Sequence, residues 1–232
     1  MIDIIIPVLN EENILTQKRE YYRSLQSRAN IIFADGGSRD RTVQLAGAFG
    51  EVVSSAAGRG VQKNRGAAAA KSDILLFLHA DTFLSDCALE RIGQAVERGG
   101  AGGCLTMHIE DTHFMFRIWE GLVNFRARAF GVMDGDLGLF ARRDVFEKLG
   151  GFDPLPYMED ILFSAKMRRA YRATVLTERI FVSSRKWHEH GFPSTFATYT
   201  LAYLQLWTGH LGENNKVNSH QHSCAPEAHE NL

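Results

Sequence analysis

The sequence predicts an α/β fold in which helices cover both faces of a mostly parallel central sheet. Short apolar runs alternate with helix-length segments through the first half of the chain, and this is the pattern of strands joined by crossover helices. The apolar runs stop abruptly at acidic or glycine residues, as strands do at the carboxyl edge of such a sheet. The 232 residues suffice for one ample domain. We expect that domain over residues 1–212, followed by a disordered polar tail over residues 213–232.

The first half of the chain supplies the regular alternation. Strands are expected where apolar runs occur, at residues 2–8, 31–34, 52–53 and 74–78. Helices are expected at residues 11–27, 38–49 and 66–71, and a further helix is expected after Ser85, with Leu89, Ile92 and Val96 on its inner face. Ser38 and Ser85 are the predicted N-caps, because a serine hydroxyl can accept the first unpaired helix N–H groups.

The second half of the chain is less regular. Strands are expected at residues 105–109 and 137–141, and helices at 144–149 and 159–171. Residues 114–130 are expected to form an aromatic helix or a helical hairpin. Gly150 and Gly151 are expected to end the helix before them, because glycine adopts the left-handed conformation at helix ends without strain.

Composition excludes several classes of protein. With 26 basic and 27 acidic residues the net charge is -1, which leaves no basic footprint for nucleic acid. Three widely spaced cysteines fit a reducing compartment, so we expect a cytoplasmic location, and the first ten residues do not read as a secretory leader. The aromatic segment at 196–207 is too short to span a bilayer. It is expected to pack against the core, with a second subunit or the inner membrane face as alternatives.

Acidic residues at the ends of the predicted strands are the candidate ligand-binding groups. Asp35 ends the second strand beside two glycines, and its carboxylate suits the donors of a base edge or a ribose. Asp81 follows a buried strand and suits a hard divalent cation. The basic, glycine-rich stretch at 58–66 opens a helix and suits a diphosphate. A lone aspartate at a strand end is more often a turn former, and a solvated turn is an equal alternative for residues 58–66.

Five short motifs follow one another along the chain. They are Ile4–Glu12 (IIIPVLNEE), Asp35–Thr42 (DGGSRDRT), His79–Thr82 (HADT), Gly150–Asp153 (GGFD) and Met158–Asp160 (MED). In this order they resemble the motifs of the family 2 glycosyltransferases with a GT-A fold. Within that family, Leu76–Thr82 and Gly135–Phe140 are similar to a bacterial subgroup linked to arsenosugar biosynthesis. The resemblance implies a GT-A-type nucleotide-diphospho-sugar transferase fold, with a nucleotide-binding half over about residues 1–100 and an acceptor half over about 101–212.

The resemblance also implies roles for individual residues. The implied nucleotide-binding residues are Pro7, Leu9, Glu11, Asp35, Gly36, Arg59, Asn64, His79 and Ala80. The implied catalytic residues are Asp160, as the base, and its neighbour Glu159, and the implied acceptor-binding residues are Gly135 and Asp136. Asp81 and His188 are the implied ligands of a divalent cation, Mg²⁺ or Mn²⁺, although His79 stands where the family's D-x-D motif has its first aspartate.

The expected activity is inverting transfer of a sugar from a nucleotide-diphosphate donor, with UDP favoured, to a hydroxyl acceptor that is small or lipid-linked. One alternative is a non-catalytic nucleotide-sugar binding module, which the altered metal motif at His79 supports. A metal-dependent hydrolase using His79, Asp81, His188 and His190 is a weaker alternative, because no zinc-protease histidine spacing is present. A nucleotidyltransferase would need a glycine-rich basic loop after the first strand, which is missing.

Overall fold

An eight-stranded mixed sheet organises the chain, with its strands in the order β3-β2-β1-β4-β7-β6-β8-β5. The computed structural model describes residues 1–155, 157–185 and 187, and Met1–Arg185 form one compact unit. The strands are β1 (Ile2–Val8), β2 (Asn30–Asp35), β3 (Glu51–Ser54), β4 (Ile74–Phe77), β5 (Phe83–Leu84), β6 (Gly102–Ile109), β7 (Phe140–Arg142) and β8 (Thr174–Val182). The domain end predicted at residue 212, the tail, His188, His190 and segment 196–207 lie outside the described residues.

The pairing confirms the predicted fold class. β1 pairs in parallel with β2 and β4, and β2 pairs in parallel with β3. β7 runs antiparallel to both β4 and β6, β6 runs parallel to β8, and the short β5 runs antiparallel to β8. Strands β5 and β7 alone run against the common direction, so the carboxyl ends of the other strands share one edge of the sheet.

Eight helices connect and flank the described strands. They are α1 (Glu12–Gln17), α2 (Arg19–Gln26), α3 (Thr42–Ala46), α4 (Arg59–Ala69), α5 (Ala88–Glu97), α6 (Phe114–Phe130), α7 (Arg143–Lys148) and α8 (Glu159–Ala170). A short 3-10 helix spans Gly135–Leu137. Gly150 and Gly151 follow α7 with φ of 77° and 66°, in agreement with the predicted glycine stop.

Four predicted helices have clearly different bounds in the structure. The helix expected at 66–71 begins earlier, at Arg59, and forms α4. The single helix expected at 11–27 is broken at Lys18, whose φ of -99° and ψ of 20° leave the helical region and separate α1 from α2. The Ser38 hydroxyl accepts from the backbone N–H of Asn10, so it does not cap α3. Helix α3 begins at Thr42, whose backbone N–H donates to the Asp40 carboxylate. Ser85 is not a side-chain cap, because α5 begins after Cys87.

Two layers of apolar side chains hold the sheet. On one side, Tyr22 packs against Phe33 and Phe49 with ring centroids 5.5 Å apart in both pairs. On the other side, Phe77 packs 4.8 Å from Phe152, which in turn lies 5.0 Å from Phe163 on α8. Burying each of these rings contributes about 1.5–3 kcal/mol, and the second layer fixes α8 against the sheet.

Buried Asp3 in β1 shows how a polar group is tolerated in this core. Its carboxylate accepts from the Asn30 side chain at 2.8 Å, the Ser72 hydroxyl at 2.6 Å and the Lys71 N–H at 2.5 Å. Burial alone would raise the pKa of Asp3, but these hydrogen bonds outweigh it and lower that pKa. Across the described residues, none of the helices combines the length and apolar character that crossing a bilayer requires.

Candidate functional site

The ends of β1 and β2 are level with each other, since Val8 pairs with Asp35. A side chain from α4 holds them together. Gln62 is buried, and its Nε2 donates to the carbonyl of Val8 at 2.9 Å and to that of Ala34 at 2.7 Å. Its Oε1 accepts from the N–H of Gly58 at 3.2 Å. Sequence reasoning did not single out Gln62, because nothing distinguishes it from a solvated residue of the basic loop.

Asp35 is buried at this edge and shapes the loop that follows it. Its carboxylate accepts from the N–H of Gly37 at 3.0 Å and from that of Ser38 at 3.1 Å. This is the turn-forming role considered as an alternative for a lone aspartate. Gly36 lies against Gln62, whose Cδ is 3.1 Å from where a Cβ would stand. The two residues therefore sit at the predicted edge, on a backbone that hydrogen bonds fix.

The loops after β1 and β2 are joined to each other. Glu11 donates its backbone N–H to the Thr42 hydroxyl at 2.7 Å. Leu9 is exposed and Pro7 is half-buried beside it. The structure therefore brings three predicted nucleotide contacts, Pro7, Leu9 and Glu11, to the same edge as Asp35.

Helix α4 carries the basic stretch 58–66 within its body, so most of that stretch is helical and not a flexible loop. Arg59 is its first residue and is exposed. Asn64 holds both backbone groups of Phe152, donating to its carbonyl at 2.8 Å and accepting from its N–H at 2.9 Å. The Asn64 amide thus ties α4 to the loop before α8. Its oxygen and its nitrogen both already bond to Phe152, so a nucleotide bound by Asn64 would have to share these atoms.

The segment after β4 brings His79, Ala80 and Asp81 to the edge beside β1. The Ala80 carbonyl accepts from the Tyr22 hydroxyl at 2.9 Å, which anchors this segment to α2. Nε2 of His79 lies 3.5 Å from a carboxylate oxygen of Asp136. His79 and Asp136 thus link the predicted nucleotide and acceptor halves.

Gly135 marks the point at which the candidate catalytic groups converge. A Cβ placed on Gly135 would stand 2.6 Å from Oδ2 of Asp160, 3.1 Å from Nε2 of His79 and 3.3 Å from Nζ of Lys63. The N–H of Gly135 donates to the same Asp160 oxygen. Four residues from separate parts of the chain therefore surround one small space, and a side chain at position 135 would displace the Asp160 carboxylate.

A buried ion pair lies beside Asp160. Nζ of Lys63 is 2.9 Å from Oε1 of Glu159, and both side chains are almost completely buried, at 2% and 3% exposure. The Phe152 ring centroid lies 5.0 Å from the same ammonium. The carboxylate of Glu159, the residue predicted to act beside the base, is thus paired with Lys63. Sequence reasoning missed Lys63 because a buried lysine in a basic stretch looks like a surface one.

The surroundings of Asp160 hold its proton more tightly than water would. Burial raises the pKa of Asp160 to about 6, and the nearby charges of Glu159 and Asp134 add to that rise. Lys63 and the N–H of Gly135 oppose it. At neutral pH the carboxylate is therefore ionised but more basic than a solvated aspartate, which is the property a general base needs.

Asp81 is the predicted metal ligand, and cations stand near it. A guanidinium nitrogen of Arg185 lies 3.9 Å from its carboxylate. The Lys18 ammonium is buried over the Phe83 ring at 3.4 Å and has no hydrogen-bond partner within the described chain. Burial lowers the pKa of Lys18 to about 8, against the opposing charges of Asp81 and Glu110. Lys18 is a further residue of this region that the sequence did not reveal.

Asp81 can serve as a protein ligand for a divalent cation whose other ligands are phosphate oxygens and water. No group of three or more His, Cys, Asp or Glu side chains within residues 1–155, 157–185 and 187 is placed to hold a metal. One carboxylate is nevertheless enough for Mg²⁺ or Mn²⁺ when phosphate oxygens and water complete the shell. Asp81 fits that arrangement, whereas His188 lies outside the described residues.

Solved structures that share this architecture carry a GT-A glycosyltransferase fold. S. aureus TarS (residues 1–349, in complex with UDP) matches with a TM-score of 0.61 and 19% identity, over 78% of this chain and 60% of that one. A second S. aureus TarS structure matches with a TM-score of 0.60 and 18% identity, over 78% of this chain and 36% of that one. Glucosyl-3-phosphoglycerate synthase from Mycobacterium tuberculosis, with Mn²⁺, UDP and phosphoglyceric acid, matches with a TM-score of 0.58 and 21% identity, over 78% and 69%.

The fold and the convergent edge thus define a protein of the GT-A class. The family model for glycosyl transferase family 2 matches residues 3–150, so the chain belongs to that family. The match ends before Glu159 and Asp160, so it does not bear on these two residues. No curated protein sequence matches the chain significantly, and the match covers only 36% of that second TarS chain.

Proposed function

We propose that the chain is an inverting glycosyltransferase that moves a sugar from a UDP-sugar to a hydroxyl acceptor. Family membership supports glycosyl transfer. The UDP or UDP-GlcNAc held by TarS structures and the UDP held by the mycobacterial synthase support the nucleotide. The observation that carries the proposal is the convergence of Asp160, His79 and Lys63 around Gly135 at the carboxyl edge of the sheet.

The donor site in this proposal lies along the edge formed by β1, β2 and β4. The loop Pro7 to Glu11 and the turn at Asp35 and Gly36 form the nucleotide cradle. Arg59 at the start of α4 faces the diphosphate, where its charge and the helix N-terminus both favour an anion. His79 and Ala80 close the cradle at the ribose. The Asn64 amide is assigned to holding the Phe152 loop, because its hydrogen bonds with that backbone are short and paired.

Asp160 is the proposed base. Its carboxylate removes the proton from the acceptor hydroxyl as that oxygen forms its bond to the anomeric carbon. The bond from that carbon to the phosphate oxygen breaks on the opposite face, and the nucleotide diphosphate leaves with the electron pair. Gly135 and Asp136 line the acceptor side. Glu159 acts through Lys63, because the pair keeps α8 and its first turn in place.

A divalent cation is part of the proposal, with Asp81 as its protein ligand, and Mn²⁺ in the mycobacterial synthase supports this. When bound, the cation would neutralise negative charge on the departing diphosphate. Four expectations stay predictions. They are His188 as a second metal ligand, a cytoplasmic location, the extent of the domain, and membership of the subgroup linked to arsenosugar biosynthesis.

Two measurements on one variant test the proposal. Asp160→Asn keeps the shape of the side chain and removes the base, so hydrolysis or transfer of UDP-sugars should fall by at least about a hundredfold. UDP should still raise the melting temperature of the variant, as mass action requires of a ligand that binds the folded state. The matched control is Asp144→Asn, since Asp144 is a surface carboxylate on α7 paired with Arg142 and Lys148.

The outcomes separate the candidate functions. Transfer by Asp160→Asn at the wild-type rate would show that the base is wrongly assigned. Stabilisation by UDP with no turnover in the wild-type protein would favour the non-catalytic binding module. If UDP-sugars and UDP fail to stabilise the wild-type protein, the donor site itself is wrong.

A further inference from the structure

Helix α6 turns an apolar face outward. Phe114, Ile118, Leu122 and Phe125 are 64%, 59%, 51% and 59% exposed. Their spacing of four, four and three residues places them on one side of a helix. We call these four residues the α6 stripe. Large apolar side chains that are grouped and exposed in this way mark an interaction surface.

The inward face of the same helix is fixed by polar contacts. The Asn124 side chain accepts from the N–H of Met107 at 2.8 Å and donates to the carbonyl of the same residue at 3.0 Å. Glu120 accepts from the N–H of Ile109. Both side chains are buried. Since these contacts fix the rotation of α6 about its axis, the outward position of the stripe follows from the fold.

The charges on the outward side of α6 all have the same sign. Arg117 and Arg128 are exposed there, and the helix's one acidic residue, Glu120, faces inward. Arg128 donates to the Thr106 hydroxyl at 2.9 Å. Arg168 on α8 donates to the Phe130 carbonyl at 2.7 Å, at the end of α6. Arg117 is paired with Glu120 at 3.0 Å, so Arg128 and Arg168 carry the charge that a partner would meet.

These charges favour a negatively charged partner over a second copy of the chain. In a symmetric dimer the same patch meets itself, so exposed arginines would face arginines with no acid on the outward side of α6 to offset them. A membrane surface rich in anionic lipids has the complementary charge, and its acyl boundary accepts Phe, Ile and Leu side chains. The 17 residues of α6 form a rod about 25 Å long that would lie in the plane of the interface.

We propose that the α6 stripe docks the protein on a membrane that contains anionic lipids, with Arg128 and Arg168 at the lipid phosphates. The chain then leads directly from Phe130 at the end of α6 to Gly135 in the candidate site, and Arg126 of α6 pairs with Asp134 beside it. Docking would therefore present the acceptor side of the site to the membrane. The statement about the acceptor rests on the proposed function. If the site faces the membrane, the acceptor is a lipid-linked hydroxyl compound.

Vesicle binding tests the docking without any turnover. The full-length protein is mixed with vesicles of phosphatidylcholine alone, or with about a third phosphatidylglycerol, and the bound fraction is measured by flotation. We expect binding to the anionic vesicles that is weaker at high salt. Phe125→Glu should weaken that binding by at least about tenfold. The matched control is Val43→Glu, which adds the same charge at a 44% exposed residue of α3.

Folding of each variant is checked by its circular dichroism spectrum and its melting temperature without ligand, and Leu122→Ser serves as a second stripe variant if Phe125→Glu does not fold. The docking proposal is overturned if the wild-type protein does not float with anionic vesicles, or if Phe125→Glu and Leu122→Ser bind as Val43→Glu does. A wild-type dimer that these stripe variants convert to a monomer would also overturn it. Failure of UDP to bind would count against the proposed function alone.

Discussion

The backbone N–H of Gly135 donates a hydrogen bond to the carboxylate of Asp160, 25 residues further along the chain. The donor lies in the short 3-10 helix and the acceptor in the first turn of α8. This contact fixes one oxygen of the proposed base and helps to keep it ionised. It also joins the acceptor loop to α8, so that a change in either element moves the other.

Gly135→Ala should lower the transfer rate by about a hundredfold while the protein stays folded. The added methyl group would stand 2.6 Å from the Asp160 oxygen and 3.1 Å from His79, so both side chains must move. Initial rates with a UDP-sugar and the melting temperature measure the two effects. Gly93→Ala is the control, because its Cβ meets nothing within 4 Å and alanine favours the helix by about 0.5–1 kcal/mol. Equal rates in the two variants would contradict the assignment.

Lys63→Met should destabilise the fold strongly, because it leaves the Glu159 carboxylate buried without its partner. Breaking a buried pair of this kind costs about 3–5 kcal/mol. The double variant Lys63→Met with Glu159→Met should recover most of that loss. Urea unfolding of the four proteins of this cycle measures the coupling. Additive effects of the two single changes would show that the pair contributes nothing.

The transfer rate should fall as the pH drops through about 6, because burial and the neighbouring charges raise the pKa of Asp160 to about 6. The same shift changes stability in a fixed direction. A carboxyl whose folded-state pKa is raised stabilises the fold below its unfolded pKa of 3.8 and loses that contribution as the pH rises through about 6.

As the pH is lowered from 7 to 4, the free energy of unfolding of the wild-type protein should therefore rise relative to that of Asp160→Asn. Paired rate profiles and urea titrations across that range check both effects. A rate that stays level down to pH 4, or a stability difference that does not change with pH, would rule out Asp160 as the titrating base.

Manganese should bind the free protein weakly, with a dissociation constant above about 1 mM, and more tightly once UDP is present. Within the described residues no group of three or more His, Cys, Asp or Glu side chains is placed to hold a metal. Arg185 stands 3.9 Å from the Asp81 carboxylate, and the buried charge of Lys18 is also nearby. The phosphates of UDP supply the missing oxygen ligands. Electron paramagnetic resonance of Mn²⁺ with and without UDP measures both affinities. Tight Mn²⁺ binding in the absence of UDP would show ligands beyond Asp81.

The strands of the parallel half were predictable because each is a short apolar run in the sequence, and β1 and β4 lie where those runs lie. β5 and β8 were missed. β5 has two residues, and β8 mixes Thr, Glu and Arg into its apolar positions, so neither shows a run. Helix ends were less predictable, since Asp40 and not Ser38 precedes the first turn of α3.

Candidate site residues could be chosen from the sequence where a motif marks them and not where burial alone makes a residue matter. Resemblance and position beside predicted elements singled out Asp35, Asp81 and Asp160, whose roles stay predictions. Gln62 and Lys63 act because α4 turns them inward, and one sequence without a known fold does not show which side of α4 faces the sheet.

The single amide of Gln62 holds two strand ends and the first turn of α4 at once. Separating the two strand ends would break the hydrogen bond from Gln62 to Val8 or the one to Ala34, so the shape of this edge is set before any molecule arrives. An incoming molecule then needs little ordering of this rim, which saves entropy on association. This rigid edge should therefore select ligands by shape, because it excludes molecules that do not fit it. Any conformational change on binding should occur in other parts of the protein.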